Sequence, residues 1–531
     1  MVRKSWNVPQ NIILSAPESL AGASQIDIEH SQSDSSKLLR PPLWGSVRLT
    51  YSICAFISMT LHVAMRNMLG LVVLRMVHPR SEDELQLLSN ATNRNVTARD
   101  ALCESGSALN ETDVQNIRTG DLVWTRAQEL IFPGTFYYGY ILALPLAGHL
   151  SDRMGGKLLF INSLTLQSLT YLALPPMAHL SFSAAVANLV VSGFLAGCGN
   201  PPLYQLFTVW AHPTERTSLL SFAYSGLTVG TMLIYPVANF LSRYGWETPF
   251  YVLGSISLCF GIACCWLIYN TLDDHPRLSA KEKAYLQSEL AGRICPTSIP
   301  WRAVLTSIPV HAFVLTHAFN NYGYIMLALL MPRILHESMN FKLKDVGVLA
   351  TAPYLGSLIS KVVCIGLCSY AERHVRARLN SLRRYLFSIC IIIAIGCISG
   401  IIYASCEQKI LVVVLFVILG GVSDLGYNGG YWPTLLYFAP SFTGLILGLA
   451  NCFAHICGAM APYVVTAMVK TGTKSEWNTV LVTLIGAYGL AMIVFGTCGS
   501  STLQSWDPRS QQKPNKTENK SKPKKDVFRI I

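Results

Sequence analysis

Twelve long apolar segments constrain the fold of this chain more than any other feature. They lie at about residues 50–77, 125–147, 158–176, 184–207, 218–241, 248–270, 309–333, 346–368, 385–404, 411–434, 443–469 and 478–499. Most approach or exceed the roughly 20 residues that a helix needs to cross a bilayer. Because a spanning backbone must satisfy its own hydrogen bonds, and the runs are continuous rather than alternating, they predict transmembrane helices. The predicted fold is an all-α membrane protein with twelve spans.

The composition supports this class and excludes several others. Hydrophobic residues make up 51% of the chain and charged residues only 13%, about half the charged share of soluble domains. The sequence contains no G-x-S-x-G, H-E-x-x-H or P-loop motif, so it predicts neither an enzyme nor an ATP-driven pump. We expect no cofactor or metal other than a coupling ion, sodium or a proton. The formal net charge of +12 has no nucleic-acid-binding motif beside it, so no nucleic-acid partner is expected.

The distribution of charge and of glycosylation sequons predicts the orientation. With both termini in the cytosol, the inner loops carry more Lys and Arg than the short outer loops, as the positive-inside rule requires. The long first loop, residues 78–122, contains N-x-S/T sequons at Asn90, Asn95 and Asn110. Three sequons in one loop favour a lumenal or extracellular position for it.

The spans divide into two halves of six. The predicted organisation is a cytosolic tail (1–48), a first half (49–270), a cytosolic linker (271–308), a second half (309–499) and a basic cytosolic tail (500–531). Within the linker, Ser279 and Glu282 have capping-box spacing, which predicts a helix over 279–291. Two six-helix halves imply a binding cavity near the bilayer midplane. The lipid bilayer is one partner, and the oligomeric state stays open.

A short motif in the N-terminal tail concerns localisation. Asp34, Leu38 and Leu39 form an acidic dileucine pattern of the kind that clathrin adaptors read, although a chance match is the alternative. The sequence allows a lysosomal or vesicular membrane or the plasma membrane.

The loop between spans 2 and 3 resembles a superfamily signature. It fits G-x-x-x-D-R-x-G-G-K, and its defining residues are Gly148, Asp152, Arg153, Gly155, Gly156 and Lys157. Glycines permit a tight turn and close helix approach, and the carboxylate can pair with the neighbouring arginine. This loop resembles the one joining helices 2 and 3 of the major facilitator superfamily. The resemblance implies a gating loop whose Asp152 pairing belongs to one conformation only.

Further motifs narrow the resemblance. They run in order along the chain: Arg66-Asn-Met-Leu-Gly, Phe136-Tyr-Tyr-Gly-Tyr140, Trp210-Ala-His-Pro-Thr-Glu215-Arg216, Gly245-Trp246, His275-Pro-Arg-Leu-Ser279, Val346-Gly347, Phe438-Ala-Pro440, Gly448-Leu-Ala-Asn451 and Ser475-Glu-Trp477. On these motifs the chain is identified as a divergent member of the anion–cation symporter family, which includes sialin, the vesicular glutamate and nucleotide transporters and the sodium–phosphate cotransporters. The resemblance implies the major facilitator fold and ion- or potential-coupled transport of organic or inorganic anions by alternating access.

The chain departs from the family pattern at charged positions. Leu189 and Ala196 stand where span 4 usually bears an arginine and a glutamate, and Tyr437 replaces an acidic residue of span 10. Pro133 and Asn320 stand where the vesicular glutamate transporters have a histidine and an arginine. These departures put glutamate transport and the usual carboxylate-mediated proton coupling in question. The alternatives are a transport-dead receptor or scaffold, or an uncoupled anion facilitator.

Polar residues within the cavity-lining spans 1, 4, 7 and 10 are the binding candidates. An unpaired ion at bilayer depth costs at least about 2.5–3.5 kcal/mol, so such groups normally face a cavity or a partner. Arg66 is the leading anion ligand because a guanidinium grips a carboxylate or phosphate with two bonds; a structural ion pair is the alternative. The substrate-binding candidates are Arg66, Tyr204, Asn320, Tyr324, Tyr427 and Asn428.

Two residues are candidates for ion coupling. A buried Asp424 can exchange a proton during transport, unless it forms a fixed pair with Lys361 of span 8. His317 is the second candidate; for it and for His455, the alternative is a hydrogen-bonded packing residue. The Asn and Tyr side chains of spans 7 and 10 suit a polar organic anion better than bare phosphate.

Overall fold

The computed structural model describes residues 41–77, 120–154, 156–287, 299–339, 341–374, 379–405 and 407–510. These residues are almost entirely helical, with one isolated bridge between Val77 and Leu122. The sorting-motif candidates Asp34, Leu38 and Leu39 and the sequons at Asn90, Asn95 and Asn110 lie outside the described residues.

Six spans form the first half. They are span 1 (Val47–Met76), span 2 (Arg126–Ile131, a 3-10 turn Phe132–Thr135, then Phe136–Met154), span 3 (Gly156–Leu180), span 4 (Phe182–Gly197 and Asn200–Trp210), span 5 (Pro213–Leu241) and span 6 (Thr248–Leu267). Span 4 is interrupted at Cys198 and Gly199, where the following Pro201 and Pro202 lack the N–H groups that a continuous helix would need.

The second half repeats this arrangement after the linker. The linker contains helices Ala280–Gln287 and Trp301–Thr306, and the spans are span 7 (Ile308–Arg333, then a π-turn Ile334–Ser338), span 8 (Leu343–Leu349 and Ala352–His374), span 9 (Leu379–Tyr403), span 10 (Lys409–Leu425, a π-turn Gly426–Tyr431, then Trp432–Thr434 and Leu435–Phe438), span 11 (Thr443–Met468) and span 12 (Lys474–Cys498). The π-turn in span 10 is notable because such bulges are frequent at functional sites.

The twelve-span fold predicted from the sequence is confirmed. Eleven helices of the described chain are long and apolar enough to cross a membrane. The twelfth, Ile308–Arg333, has 26 residues and differs because His317, Asn320 and Asn321 interrupt its apolar character.

The two halves are packed closely at one end, which we call the outer end because it carries loop 78–122. A Cβ atom at Gly70 of span 1 would lie 2.2 Å from the Leu329 carbonyl oxygen of span 7, so only glycine allows this approach. The Tyr235 hydroxyl of span 5 donates a hydrogen bond to the Ala328 carbonyl oxygen of span 7. These contacts join the first half to the second, so the structure is closed on the outer side.

Four charged side chains strengthen this closure: Arg126, Glu129, Arg333 and Glu337, which we call the outer charge cluster. Arg126 Nη2 lies 2.5 Å from Glu337 Oε2, and Arg333 Nη1 lies 3.1 Å from Glu337 Oε1. Arg333 also pairs with Glu129, and Trp477 Nε1 donates to Glu337 at 3.1 Å. All four charged side chains are at most 13% exposed. Spans 2, 7 and 12 are therefore tied together by buried charges.

At the opposite end, a buried arginine fixes the linker to the first half. The Arg48 side chain is 0% exposed; its Nη1 lies 2.5 Å from Glu215 Oε2 and its Nε lies 3.1 Å from Glu282 Oε1. Glu282 also accepts hydrogen bonds from the backbone N–H groups of Val47 and Arg48, each at 3.2 Å. The linker helix is thus part of the first half.

These contacts correct the capping-box prediction. Ser279 Oγ accepts from the Glu282 N–H at 3.2 Å, as predicted. The return bond is wrong: the Glu282 carboxylate binds Arg48 instead, because a charged donor binds a carboxylate more strongly than a backbone N–H. The helix begins at Ala280 and is described to Gln287, so its predicted end at residue 291 lies outside the described residues.

The orientation has a direct test. If loop 78–122 faces the lumen or exterior, a glycosidase should collapse a heterogeneous band of the expressed protein, and the triple variant Asn90→Gln/Asn95→Gln/Asn110→Gln should migrate like the treated parent. The basic tail carries two further N-x-S/T sequons, at Asn515 and Asn519. They should stay unmodified if the tail is cytosolic, so they serve as internal controls. Glycosylation at those two tail positions, rather than in the loop, would reverse the orientation.

Candidate functional site

Arg66 lies between the two halves and has no carboxylate partner within the described part of the chain. Its side chain is partly accessible, whereas Met65, Asn67 and Met68 beside it are 0% exposed. Arg66 Nε donates to Asn67 Oδ1 at 3.1 Å, and its Cζ atom lies 5.7 Å from the centre of the Tyr137 ring. A neutral amide and an aromatic face leave the positive charge uncompensated. The structure therefore favours a ligand cation over the structural ion pair considered above.

Tyrosines surround this guanidinium. The phenol groups of Tyr137, Tyr140 and Tyr171 from the first half and Tyr324 from the second lie within electrostatic range of Arg66. The hydroxyls of Tyr137 and Tyr171 are buried without a hydrogen-bond partner among the described residues. Unpaired buried hydroxyls are costly, so they are donors available to an anion beside Arg66.

His455 of span 11 closes this region from the other half. Its ring stacks against Tyr137 with centroids 5.7 Å apart, and it packs edge-on against Tyr140 at 4.6 Å. Arg66 and His455 thus approach the same Tyr137 ring from the two halves of the protein.

A second group of polar residues lies within the second half. His317 Nδ1 lies 2.9 Å from the Tyr431 hydroxyl and His317 Nε2 lies 3.0 Å from Asn451 Oδ1. Tyr427 stacks on Trp432 with ring centroids 4.7 Å apart. Both nitrogens of the His317 ring are engaged, so this geometry matches the hydrogen-bonded packing alternative rather than a free titrating group.

Asn320 borders the same cluster. Its side chain lies beside the Tyr431 phenol, and its Oδ1 atom is buried without a partner among the described residues. Asn320 therefore retains unused hydrogen-bonding capacity.

Asp424 forms the pair that the sequence offered as an alternative. Lys361 Nζ lies 2.5 Å from Asp424 Oδ1, and Ser360 Oγ donates to Asp424 Oδ2 at 2.9 Å. Asn428 Nδ2 donates to the same carboxylate at 3.0 Å, one turn further along span 10. Lys361 is 28% and Asp424 14% exposed, so both side chains are partly accessible. The Asn428 Nδ2 group is thus engaged by Asp424, and the role of Asn428 as a substrate ligand stays a prediction.

The structure describes part of the gating loop. A Cβ atom at Gly156 would lie 3.0 Å from the Leu206 side chain, so spans 3 and 4 approach closely there. The Lys157 N–H donates to Asn270 Oδ1 at 2.8 Å, and its ammonium lies 4.3 Å from the Tyr269 ring centre.

The structure describes less of the remaining gating-loop candidates. Gly148 lies in the helix Phe136–Met154, whereas Gly155 and the side chains of Asp152 and Arg153 lie outside the described residues, as does the side chain of Tyr204. The pairing predicted for Asp152 stays a prediction.

The positions that depart from the family pattern are structural. Leu189 is 0% and Ala196 7% exposed in the apolar core, and Pro133 lies in the 3-10 turn of span 2. Arg383 stacks over the Tyr437 ring at 4.2 Å. None of these residues is itself charged, so the charged pair that the family resemblance implies for span 4 is absent at Leu189 and Ala196.

The chain matches a known protein family over more than half of its length. The family model described as "Major Facilitator Superfamily" matches residues 119–462, more than half of the chain. The chain belongs to the Major Facilitator Superfamily. It is accordingly a multi-pass membrane protein, and the superfamily resemblance of the loop between spans 2 and 3 is confirmed.

Similar proteins refine this placement. "Sialin" from Homo sapiens is 28% identical over 88% of this chain and 92% of that protein. "Putative inorganic phosphate cotransporter" from Drosophila melanogaster is 26% identical over 76% of this chain and 78% of that protein. A solved D-xylose–proton symporter, 13% identical, superposes with a TM-score of 0.55 over 86% of this chain and all of its own, which shows the shared fold. Sialin and the phosphate cotransporter are members of the anion–cation symporter family, as the motifs indicated.

Sequence reasoning missed the aromatic part of the site. Tyr137 and Tyr140 belong to the motif that supports the family resemblance, and their spacing of three residues places them on one helix face. That face could have been aligned with Arg66. Tyr171 and His455 carried no such signal, because their positions depend on how the two halves pack.

Proposed function

We propose that this protein moves small organic anions across a membrane by alternating access, with Arg66 as the principal ligand of the anionic group. The observation that carries this proposal is the partly accessible Arg66, which lacks a carboxylate partner among the described residues and is surrounded by tyrosines. The similarity of the chain to sialin and to a phosphate cotransporter supports an anion as the cargo.

The chemistry favours an organic anion over bare phosphate. A guanidinium binds a carboxylate through two parallel hydrogen bonds, which fixes the direction of the bound anion. Tyr137 and Tyr324 then offer aromatic faces together with hydroxyl donors, and aromatic faces gain more from carbon-bearing ligands than from an inorganic ion. Because Arg66 and Tyr137 belong to the first half and Tyr324 to the second, a ligand at this place contacts both halves and can link binding to their movement.

Transport by the purified protein tests this proposal. In proteoliposomes, we expect uptake of labelled organic carboxylates that exceeds uptake of phosphate and of protein-free liposomes, with imposed pH, sodium and voltage gradients compared one at a time. Movement that follows only the anion gradient would indicate an uncoupled facilitator. Failure of every anion to move under every gradient would contradict transport and leave a receptor or scaffold.

We further propose that a coupling ion, a proton or sodium, acts at Asp424 by competing with Lys361. The two are held at 2.5 Å, and both retain some accessibility. Either cation would neutralise the carboxylate and release the ammonium. A released Lys361 would change the charge of the cavity during the cycle.

Asp424→Asn tests the coupling. We expect gradient-driven accumulation to fall to a ratio of about one while downhill exchange is retained, because asparagine cannot take up a cation in place of Lys361. Glu407→Gln, an exposed change between spans 9 and 10, is the matched control and should accumulate like the parent. Unchanged accumulation by Asp424→Asn would contradict the assignment.

The cellular location belongs to the same proposal. We propose a lysosomal or vesicular membrane or the plasma membrane, with a clathrin adaptor at Asp34, Leu38 and Leu39 as the sorting partner. Replacing Leu38 and Leu39 by alanine and imaging the tagged protein distinguishes sorting by this motif from a chance match.

A further inference from the structure

We propose that His455 is a specificity-determining residue of the cavity, which binds a hydroxyl or amide group on the organic anion whose acidic group is held by Arg66. The inference rests on the function proposed above and adds the chemical class of the cargo. It selects anions that carry a neutral hydrogen-bonding group in addition to the acid.

The first observation is unused hydrogen-bonding capacity. Neither ring nitrogen of His455 has a hydrogen-bond partner in the described parts of the chain, and Nδ1 is fully shielded from solvent. His317 of the second half differs because both its nitrogens are bonded. His62 of span 1 uses one ring nitrogen on Gln167 of its own half, so it does not approach from the second half as His455 does. A buried polar atom without a partner is costly to desolvate, so such a group normally has a function or a ligand.

The second observation is position. The His455 ring and the Arg66 guanidinium each lie 5.7 Å from the Tyr137 ring centre, so they are separated by at most twice that distance. A chain of a few carbon atoms spans such a gap. One ligand can therefore contact Arg66 from the first half and His455 from the second.

The third observation is charge. The imidazole lies in the electrostatic field of Arg66, and two cations so close together in a site of low dielectric repel strongly. Burial also disfavours a charged imidazole, so we assign this ring its uncharged form. An uncharged imidazole offers one donor and one acceptor, which match a hydroxyl or an amide and not a second acidic group.

The alternative is that His455 serves only as an aromatic packing residue between Tyr137 and Tyr140. Phenylalanine preserves a ring of similar shape and removes both nitrogens. His455→Phe therefore separates the two roles, since packing is retained while hydrogen bonding is lost.

Two anions of equal chain length provide the probe: gluconate, which carries five hydroxyls, and hexanoate, which carries none. Binding is measured as anion-induced thermal stabilisation of the purified full-length protein. We expect the parent to prefer gluconate, and we expect His455→Phe to bind gluconate about tenfold more weakly, the usual effect of one lost buried hydrogen bond, with hexanoate unchanged. His311→Phe, an exposed change near the start of span 7, should keep the preference of the parent.

The outcomes distinguish this inference from the function on which it rests. An unaltered gluconate-to-hexanoate ratio in His455→Phe, or an equal loss for both anions, would overturn the role of His455. A parent without preference for gluconate would overturn it as well. Arg66→Ala should weaken the binding of both anions. If the binding of neither anion weakens, the proposed function itself fails, whatever the result for His455→Phe.

Discussion

Arg66→Ala is expected to lower anion affinity by at least about 30-fold and to abolish measurable transport, while the protein without ligand melts close to the parent. Removing one charged partner of a desolvated contact typically costs about 2–5 kcal/mol. The apo protein should tolerate the change, because Arg66 pairs with no carboxylate that the structure describes. Stabilisation by the transported anion and melting without it are measured side by side.

Two further variants sharpen this result. Arg66→Lys should recover only part of the affinity, since an ammonium keeps the charge but loses the two-pronged geometry. Arg302→Ala removes an exposed arginine in the short helix Trp301–Thr306 and should bind like the parent. Undiminished anion-induced stabilisation in Arg66→Ala would refute the binding role, and a large drop in apo melting would restore the structural-pair alternative.

Arg333→Met should have the largest effect on stability, about 3–5 kcal/mol. Arg333 is 2% exposed and contacts both Glu129 and Glu337, so its loss leaves two buried carboxylates with less compensation. Methionine retains much of the side-chain volume, which limits the contribution of lost packing. We expect a clear fall in the melting temperature of the purified protein and a shift of the halves away from the outer-closed arrangement.

The matched control is an exposed ion pair. Lys283 and Asp273 lie 2.6 Å apart with side chains 37% and 75% exposed, and pairs of this kind contribute about 0–1 kcal/mol. Asp273→Asn should therefore melt like the parent. Equal melting of Arg333→Met and Asp273→Asn would show that the outer charge cluster does not hold the closed structure together.

The sequence predicted the number and place of the helices well, because lipid demands about 20 apolar residues per span and leaves little freedom. It predicted span 7 too, although His317 and Asn320 lower its hydropathy. The capping-box return bond at Glu282 failed for a non-local reason: Arg48 is 234 residues away in sequence. A local pattern carries no information about such a partner.

The residues of the candidate site were likewise predictable only in part. Arg66 and Tyr324 were chosen as polar residues in cavity-lining spans, and the structure brings them together. Asn428 and His317 were chosen on the same grounds, yet their partners Asp424, Tyr431 and Asn451 engage them. Whether a polar side chain within a span faces a ligand or a neighbour depends on helix rotation and packing, which periodicity alone does not determine.

The outer charge cluster also makes the two compartments unequal in their influence on the cycle. When the halves part, its two arginines and two glutamates pass from a buried network into the solution on the outer side. Ions there screen the separated charges over a Debye length of about 8–10 Å at physiological ionic strength, and so lower the free energy of the open arrangement. The rate of opening should therefore rise with the ionic strength of the lumen or exterior, while the salt content of the cytosol has no comparable access to these charges.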